Sequence, residues 1–83
     1  MQPDAIYPQL GEIFREVFAD PSLVITPDTK SSDISGWDSG RMIELIVAAE
    51  TEFGIRFTTR DVDGMAKVAD FVRLIAQKTG SAP

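Results

Sequence analysis

The sequence predicts an all-α domain, a four-helix bundle of three long helices and one short helix, with a long loop between the first two. Three stretches carry apolar residues at helical spacing, and no stretch alternates apolar and polar residues for long enough to form a sheet. A chain of 83 residues also buries only one small core. We therefore expect a single domain over residues 1–83, with residues 79–83 as a loose tail.

Six apolar residues predict the first helix, because they recur every three or four positions. They are Ile6, Leu10, Ile13, Phe14, Val17 and Phe18. Charged residues lie on the opposite side, and Pro3 or Pro8 suits a first helical turn, in which the backbone N–H has no partner within the helix. The helix is expected to end before Asp20-Pro21.

The segment from Asp20 to Asp38 is predicted to be a loop, because it is rich in Pro, Gly, Ser, Thr and Asp. A few scattered apolar residues would pin it to the bundle. Loops of this length are uncommon in compact domains and often serve a function. This one leads to Trp37-Asp38-Ser39, where Trp37 is expected to anchor the loop against the bundle.

Three further helices follow the loop. The second is predicted from about Ser39 to Phe53, with Gly54 as its stop. Its core-facing residues would be Met42, Leu45, Ile46, Ala49 and Phe53. A capping pattern of Thr58 with Asp61 predicts a short third helix near residues 59–63, which Gly64 closes. The final helix contains Val68, Phe71, Val72, Ile75 and Ala76 and is expected to stop near Thr79-Gly80.

Composition excludes several classes of site. The chain has no cysteine and no histidine, so it lacks a disulfide framework, zinc-finger spacing and the usual base for a serine nucleophile. Asp61-Val62-Asp63-Gly64 is not a calcium loop, because Ala66 and Val72 stand where an EF-hand needs glycine and glutamate. We expect no bound metal and no catalysis by the chain itself.

Charge is distributed unevenly along the chain, whose net charge is −5. Residues 1–53 carry ten acidic and three basic side chains, and residues 54–83 carry three acidic and five basic ones. This balance disfavours nucleic acid and anionic lipid and favours partners with basic patches. The N-terminal residues lack the pattern of a secretion signal and no apolar run is of membrane-spanning length, so a cytoplasmic monomer without membrane insertion is expected.

Ser39 lies at the predicted start of the second helix, and two interpretations stay open. Its hydroxyl could cap the free amides of the helix, as serine commonly does. Alternatively, the hydroxyl could accept an anionic group from another enzyme, because the positive end of a helix dipole favours an anion there. The second role needs no catalytic base within the chain.

The sequence around Ser39 resembles the acyl carrier protein family. Gly36-Trp37-Asp38-Ser39 looks like the family's Asp-Ser motif, and residues 43–50 followed by Phe53-Gly54-Ile55 are similar to its second helix and the turn after it. Residues 68–72, Val-Ala-Asp-Phe-Val, resemble the start of its last helix. The resemblance extends from about Ile6 to Lys78.

This resemblance implies a non-catalytic carrier. Ser39 would receive 4'-phosphopantetheine from coenzyme A through a phosphopantetheinyl transferase, and the terminal thiol of that arm would hold an acyl or related group as a thioester. Acyl-activating, condensing or acyltransferase enzymes of a lipid, polyketide or related pathway would be the other partners. The residues expected to meet the basic patches and nearby surfaces of these partners are Asp38, Gly40, Arg41, Glu44, Val47 and Glu50.

Three positions depart from the family pattern. Gly40 stands where leucine is usual, Arg41 where an acid is frequent, and Ala49 where a larger aliphatic residue is common. The first two indicate either a specialised carrier with dedicated partners or an unmodified helical interaction module. The small residue Ala49 suggests an acyl-chain pocket between the second and third helices, and Met42 and Met65 filling that space is the alternative. The hypothetical pocket comprises Ile43, Ala49, Phe57 and Met65.

Overall fold

Four α-helices form the domain in the computed structural model, which describes residues 2–80. They are α1 (Pro3–Val17), α2 (Ser39–Phe53), α3 (Thr59–Asp63) and α4 (Val68–Thr79). No strand occurs within residues 2–80, although a short 3-10 helix, Ser31–Asp33, lies in the connection between α1 and α2. The predicted all-α bundle of three long helices and one short helix is confirmed.

The core is formed by one face of each long helix, with α1 packed against both α2 and α4. Phe14 of α1 and Phe71 of α4 meet in an edge-to-face contact with ring centroids 6.3 Å apart. Each fully buried Leu, Ile or Phe side chain stabilises the fold by about 1.5–3 kcal/mol. The largest fully buried side chains are Phe14, Phe71, Ile6, Leu10, Leu45, Ile75 and Val68.

Proline occupies two different positions in α1. Pro3 lies in the first turn, as predicted, whereas Pro8 lies inside the helix. Pro8 cannot donate the usual backbone bond to the residue four positions earlier, so α1 forms with one hydrogen bond fewer. Its apolar face offsets that loss, because Ile6 and Leu10 on either side of Pro8 are fully buried.

The connection between α1 and α2 is hydrogen-bonded to the start of α4. The amide of Val68 donates to the carbonyl of Thr29 at 2.8 Å, and the amide of Ala69 donates to the carbonyl of Pro27 at 3.0 Å. The first amides of a helix have no partner within it, and here loop carbonyls satisfy two of them. Lys30 and Lys67 form an isolated antiparallel β-bridge beside these bonds. The connection therefore follows a defined path towards α2.

Trp37 anchors the end of this connection, as the sequence predicted. Its ring packs edge to face on Phe14, with centroids 5.3 Å apart, and it also contacts Phe18 at 6.0 Å. Gly36, with φ of 86°, turns the chain just before Trp37 in a conformation that glycine adopts without strain. These contacts fix the position from which α2 begins.

Reciprocal capping starts α3. Thr58 Oγ1 accepts from the Asp61 amide at 3.1 Å, and Asp61 Oδ2 accepts from the Thr58 amide at 2.9 Å, which confirms the predicted capping pattern. Lys78 of α4 forms an ion pair with the same Asp61 carboxylate at 3.0 Å, so α3 is tied to the last helix.

The predicted loose tail is mostly beyond what the structure describes. Thr79 is the last residue of α4, and Gly80 caps it through its amide, which donates to the Ala76 carbonyl at 2.8 Å. Residues 81–83 lie outside the described residues. The tail stays a prediction for those three positions.

Candidate functional site

Ser39 is the first residue of α2 and its side chain is exposed. The residue that caps the helix is Asp38, whose backbone is extended and whose Oδ1 accepts from the Arg41 amide at 2.9 Å. The interpretation of Ser39 as the helix cap is therefore wrong. Within residues 2–80 the Ser39 hydroxyl has no hydrogen-bond partner, so it is available to solvent and to other molecules.

A cavity of about 350 Å³ lies beside Ser39. It is bounded by the start of α2, the connection before it, α3 and the start of α4. The apolar part of its wall consists of Trp37, Met42, Val62, Met65, Ala66 and Phe71. The polar part consists of Ser31, Asp38, Ser39 and Lys67. A group attached to Ser39 would thus meet both apolar surface and one cationic side chain.

The structure does not bring the four predicted pocket residues together. Met65 lines the cavity beside Ser39, but Ala49 is fully buried in the core. Phe57 packs edge to face on Phe71 with ring centroids 5.6 Å apart, and Ile43 lies on the outer face of α2 with 64 % of its surface exposed. The cavity is therefore displaced from the place that the small residue Ala49 suggested.

Met42 and Lys67 are among the lining residues that the sequence analysis did not assign to a site, for different reasons. Met42 follows Ser39 by three positions, so helical spacing alone places it one turn along the same side of α2. That signal was present in the sequence. Lys67 reaches the cavity because its segment pairs with the connection near Lys30, and helical periodicity contains no information on such pairing.

The outer face of α2 carries an exposed apolar stripe, which consists of Ile43 and Val47. Their exposed fractions are 64 % and 55 %, and their spacing of four places them on one face of the helix, one turn beyond Ser39 and Gly40. Val47 was predicted to meet partners. Ile43 lies on the same surface, although the sequence analysis had placed it in the hypothetical acyl-chain pocket between the second and third helices.

The charged residues of α2 have unequal roles. Arg41 Nη1 forms an ion pair with Glu44 Oε2 at 2.8 Å, and both side chains are exposed, so the arginine charge is matched by its own helix. Glu50 is half-buried, and its Oε2 accepts from the Phe57 amide at 2.9 Å. Glu50 thus holds the segment after α2, whereas Asp38 and Glu44 lie exposed near Ser39.

Comparisons with known proteins identify the family of the chain. Residues 8–75 match the family model for a phosphopantetheine attachment site. An acyl carrier protein from Acidothermus cellulolyticus is 35 % identical over 82 residues, which cover 99 % of this chain and 98 % of the relative. This chain belongs to the acyl carrier protein family. A carrier from Thermotoga maritima is 27 % identical over 77 residues, which cover 93 % of this chain and 95 % of that protein.

Solved structures contain the same fold. The solution structure of a holo acyl carrier protein from Geobacter metallireducens superposes with a TM-score of 0.82 at 35 % identity, covering 95 % of this chain and 86 % of that one. That structure is of a holo form and the family model describes a phosphopantetheine attachment site, so covalent 4'-phosphopantetheine is the cofactor of this chain. The exposed Ser39 hydroxyl and the adjoining cavity fit such a group.

Proteins of this family are carriers that work with partner enzymes. Within the described part of the chain, no helix is both long and apolar enough to cross a membrane. Residues 2–80 also contain no group of three or more histidine, cysteine, aspartate or glutamate side chains arranged to hold a metal ion.

Proposed function

We propose that Ser39 is the attachment residue and that the carrier holds an acyl or related group on the arm as a thioester. The observation that supports this assignment is the exposed Ser39 hydroxyl at the first position of α2. Because Asp38 caps the helix, the Ser39 hydroxyl is not needed for capping. The cargo would be delivered to enzymes of a lipid, polyketide or related biosynthetic pathway.

The position of Ser39 suits a phosphodiester. α2 has 15 residues, so its backbone dipole places partial positive charge at the end where Ser39 lies. Asp38 takes up the Arg41 amide, and the other first-turn amides remain oriented towards that end. A negatively charged group on Ser39 is favoured there by about 0.3–1 kcal/mol at a surface site.

The attachment step requires only an acceptor from this chain. Ser39 Oγ would form a bond to the pantetheine-side phosphorus of the coenzyme A pyrophosphate, and the bond from that phosphorus to the bridging oxygen would break. Adenosine 3',5'-bisphosphate would leave, and the hydroxyl proton would pass to a base of the transferase. The chain has no histidine to supply that base. The carrier itself would catalyse no reaction, and the bound arm supplies the thiol that this cysteine-free chain lacks.

Partners would recognise the exposed side of α2. Asp38 and Glu44 offer carboxylates to basic patches, and Val47 with its neighbour Ile43 offers apolar contact.

Gly40 opens the surface beside Ser39, and Arg41 neutralises part of it, which favours dedicated partners. Those partners are a phosphopantetheinyl transferase and acyl-activating, condensing or acyltransferase enzymes. Complementary charge would mainly raise association rates, and salt would reduce them. A cytoplasmic, monomeric state stays a prediction.

Intact-mass measurement tests the assignment of Ser39. The carrier is incubated with coenzyme A, Mg²⁺ and a broad-specificity transferase, or expressed with its native transferase. We expect a gain of one phosphopantetheinyl group, none in Ser39→Ala, and an unchanged gain in Ser35→Ala, which removes an exposed serine from the preceding turn. A chain that gains no mass with either enzyme would be an unmodified interaction module.

A further inference from the structure

Two cationic side chains lie near Ser39, and they differ in what they contact. Arg41 is paired with Glu44 on the surface of α2. Lys67 lines the cavity together with Ser39 and takes part in none of the ion pairs within residues 2–80. Lys67 is therefore the cation that the chain leaves available on the cavity side of Ser39.

Lys30 lies directly opposite Lys67 in the antiparallel bridge. The Val68 amide bonds the Thr29 carbonyl next to this pair, so the lysines occupy a non-hydrogen-bonded position, where Cα atoms are about 4.5 Å apart and side chains share one face. Like charges in this position repel and destabilise the pair. Backbone pairing of Lys30 with Lys67 therefore places two positively charged side chains on one face beside the cavity.

Nearby carboxylates are engaged elsewhere. Asp33 Oδ2 accepts from the Lys30 amide at 2.9 Å, and Asp70 accepts from the amides of Ala66 and Lys67 and from the Arg73 guanidinium. Asp38, the carboxylate in the cavity wall, accepts from the Arg41 amide. Within residues 2–80, neither Lys30 nor Lys67 forms an ion pair with any carboxylate.

We propose that Lys67, supported by Lys30, binds the phosphodiester of the arm and directs the arm into the cavity. The proposal rests on attachment at Ser39, because the phosphorus is then one bond from an atom of the cavity wall. An ammonium group is a strong donor to phosphate oxygens. Met42, Val62 and Met65 would contact the branched aliphatic part that follows the phosphate. The resting arm would thus lie along the start of α4.

Nuclear magnetic resonance of the apo and fully loaded carrier tests this placement. For each variant, loading is verified by intact mass, and the change in amide chemical shifts on loading is mapped, with the ³¹P shift of the phosphodiester beside it. In the wild type we expect changes at residues 65–68 as well as around Ser39. In Lys67→Gln the changes at 65–68 should fall, by up to about fivefold, which is the largest loss expected for one exposed charge contact.

Matched variants separate charge from other effects. Lys67→Arg should keep the changes, because it keeps the charge, and Lys30→Gln should reduce them less than Lys67→Gln does. Arg56→Gln removes one positive charge from the exposed turn after α2 and should behave as the wild type. Added salt should weaken the contact between Lys67 and the phosphodiester in the wild type and so reduce the shift changes at residues 65–68. This measurement tests the proposal without any variant.

The outcomes distinguish this inference from the assignment of Ser39. Loading with changes confined to residues near Ser39, or changes at 65–68 that persist in Lys67→Gln and in high salt, would overturn the lysine contact while leaving Ser39 as the attachment residue. Absence of loading in the wild type would overturn both.

Discussion

At the scale of single residues, the start of α2 divides three tasks among three neighbours. Asp38 caps the helix, Ser39 presents its hydroxyl, and Gly40 leaves the adjoining surface without a side chain. Capping by the hydroxyl would have held it against the helix amides. Separation of these tasks lets the hydroxyl face a modifying enzyme while the helix end stays stable.

Substitution of Gly40 tests the cost of its missing side chain. A Cβ at this position would lie 3.5 Å from Asp38 Oδ1, an ordinary contact, and the backbone is helical. We expect Gly40→Ala to raise the free energy of unfolding by about 0.5 kcal/mol, less than the full difference in helix propensity because the site is in the first turn. Urea unfolding measures this change.

The matched control is Gly36→Ala. Gly36 has φ of 86°, so a side chain there should lower stability by about 1 kcal/mol although nothing lies within 4 Å of the added atom.

Gly40→Leu should also speed loading by a broad-specificity transferase, because it restores the apolar contact usual in the family. A loss of stability in Gly40→Ala would show that the contact with Asp38 is unfavourable.

Ser39 also shows where prediction from sequence ends at this scale. Aspartate and serine are both good caps, and they are adjacent here, so the pattern allows either. The extended backbone of Asp38 decides between them, and it follows from the anchored connection before it. The apolar residue Ile43 was misplaced for a related reason, because helical spacing shows which residues share a face but does not show which partner covers that face.

At the scale of elements, α2 is held at both ends. Asp38 caps its start, and near its end Glu50 accepts the Phe57 amide at 2.9 Å, seven residues further along the chain. This bond fixes the turn through Gly54 to α3, which forms one side of the cavity. Glu50 therefore supports the site through the backbone.

Glu50 is predicted to matter for stability more than for partner binding. Glu50→Ala should lower the free energy of unfolding by about 1–2 kcal/mol, because the half-buried Phe57 amide loses its acceptor. Glu50→Gln keeps an acceptor oxygen and should retain most of the stability. Glu44→Ala, on the exposed face, should change it by at most about 0.5 kcal/mol. Urea unfolding gives all three values.

Loading rates complete this comparison. Glu44→Ala should slow modification by a transferase with a basic surface, whereas Glu50→Gln should not. If Glu50→Ala kept wild-type stability and loaded slowly, Glu50 would return to the partner-binding role that the sequence suggested.

Most element boundaries could be predicted, and the contacts between elements could not. Apolar spacing and the Thr58–Asp61 cap predicted all four helices, because these signals are local. The hydrogen bonds that the first amides of α4 donate to the carbonyls of Thr29 and Pro27 join residues about forty positions apart. No local pattern specifies that pairing, so the position of Lys67 was not predicted.

At the scale of the whole molecule, the net charge is −5, and two of the carboxylates that contribute to it also stabilise the starts of helices. Hydrogen bonds from the amides of Ala66 and Lys67 lower the pKa of Asp70, with the Arg73 guanidinium adding to this effect. The Thr58 amide and the Lys78 ammonium likewise lower the pKa of Asp61. These two aspartates organise the starts of α4 and α3, on the side of the cavity opposite α2.

The pKa shifts predict how stability depends on pH. The folded-state pKa values of Asp61 and Asp70 lie below the ordinary aspartate value of 3.8. Both carboxylates therefore stabilise the fold when the pH is above 3.8. This stabilisation is lost as the pH falls through their folded-state pKa values. Urea unfolding between neutral pH and pH of about 3 should show this acid loss. Asp70→Asn should lower stability at neutral pH and flatten the acid limb, and Asp61→Asn should do the same. Asp63→Asn, which removes an exposed carboxylate from α3, is the charge-matched control, and an acid limb equally steep in Asp70→Asn would contradict this origin of the pH dependence.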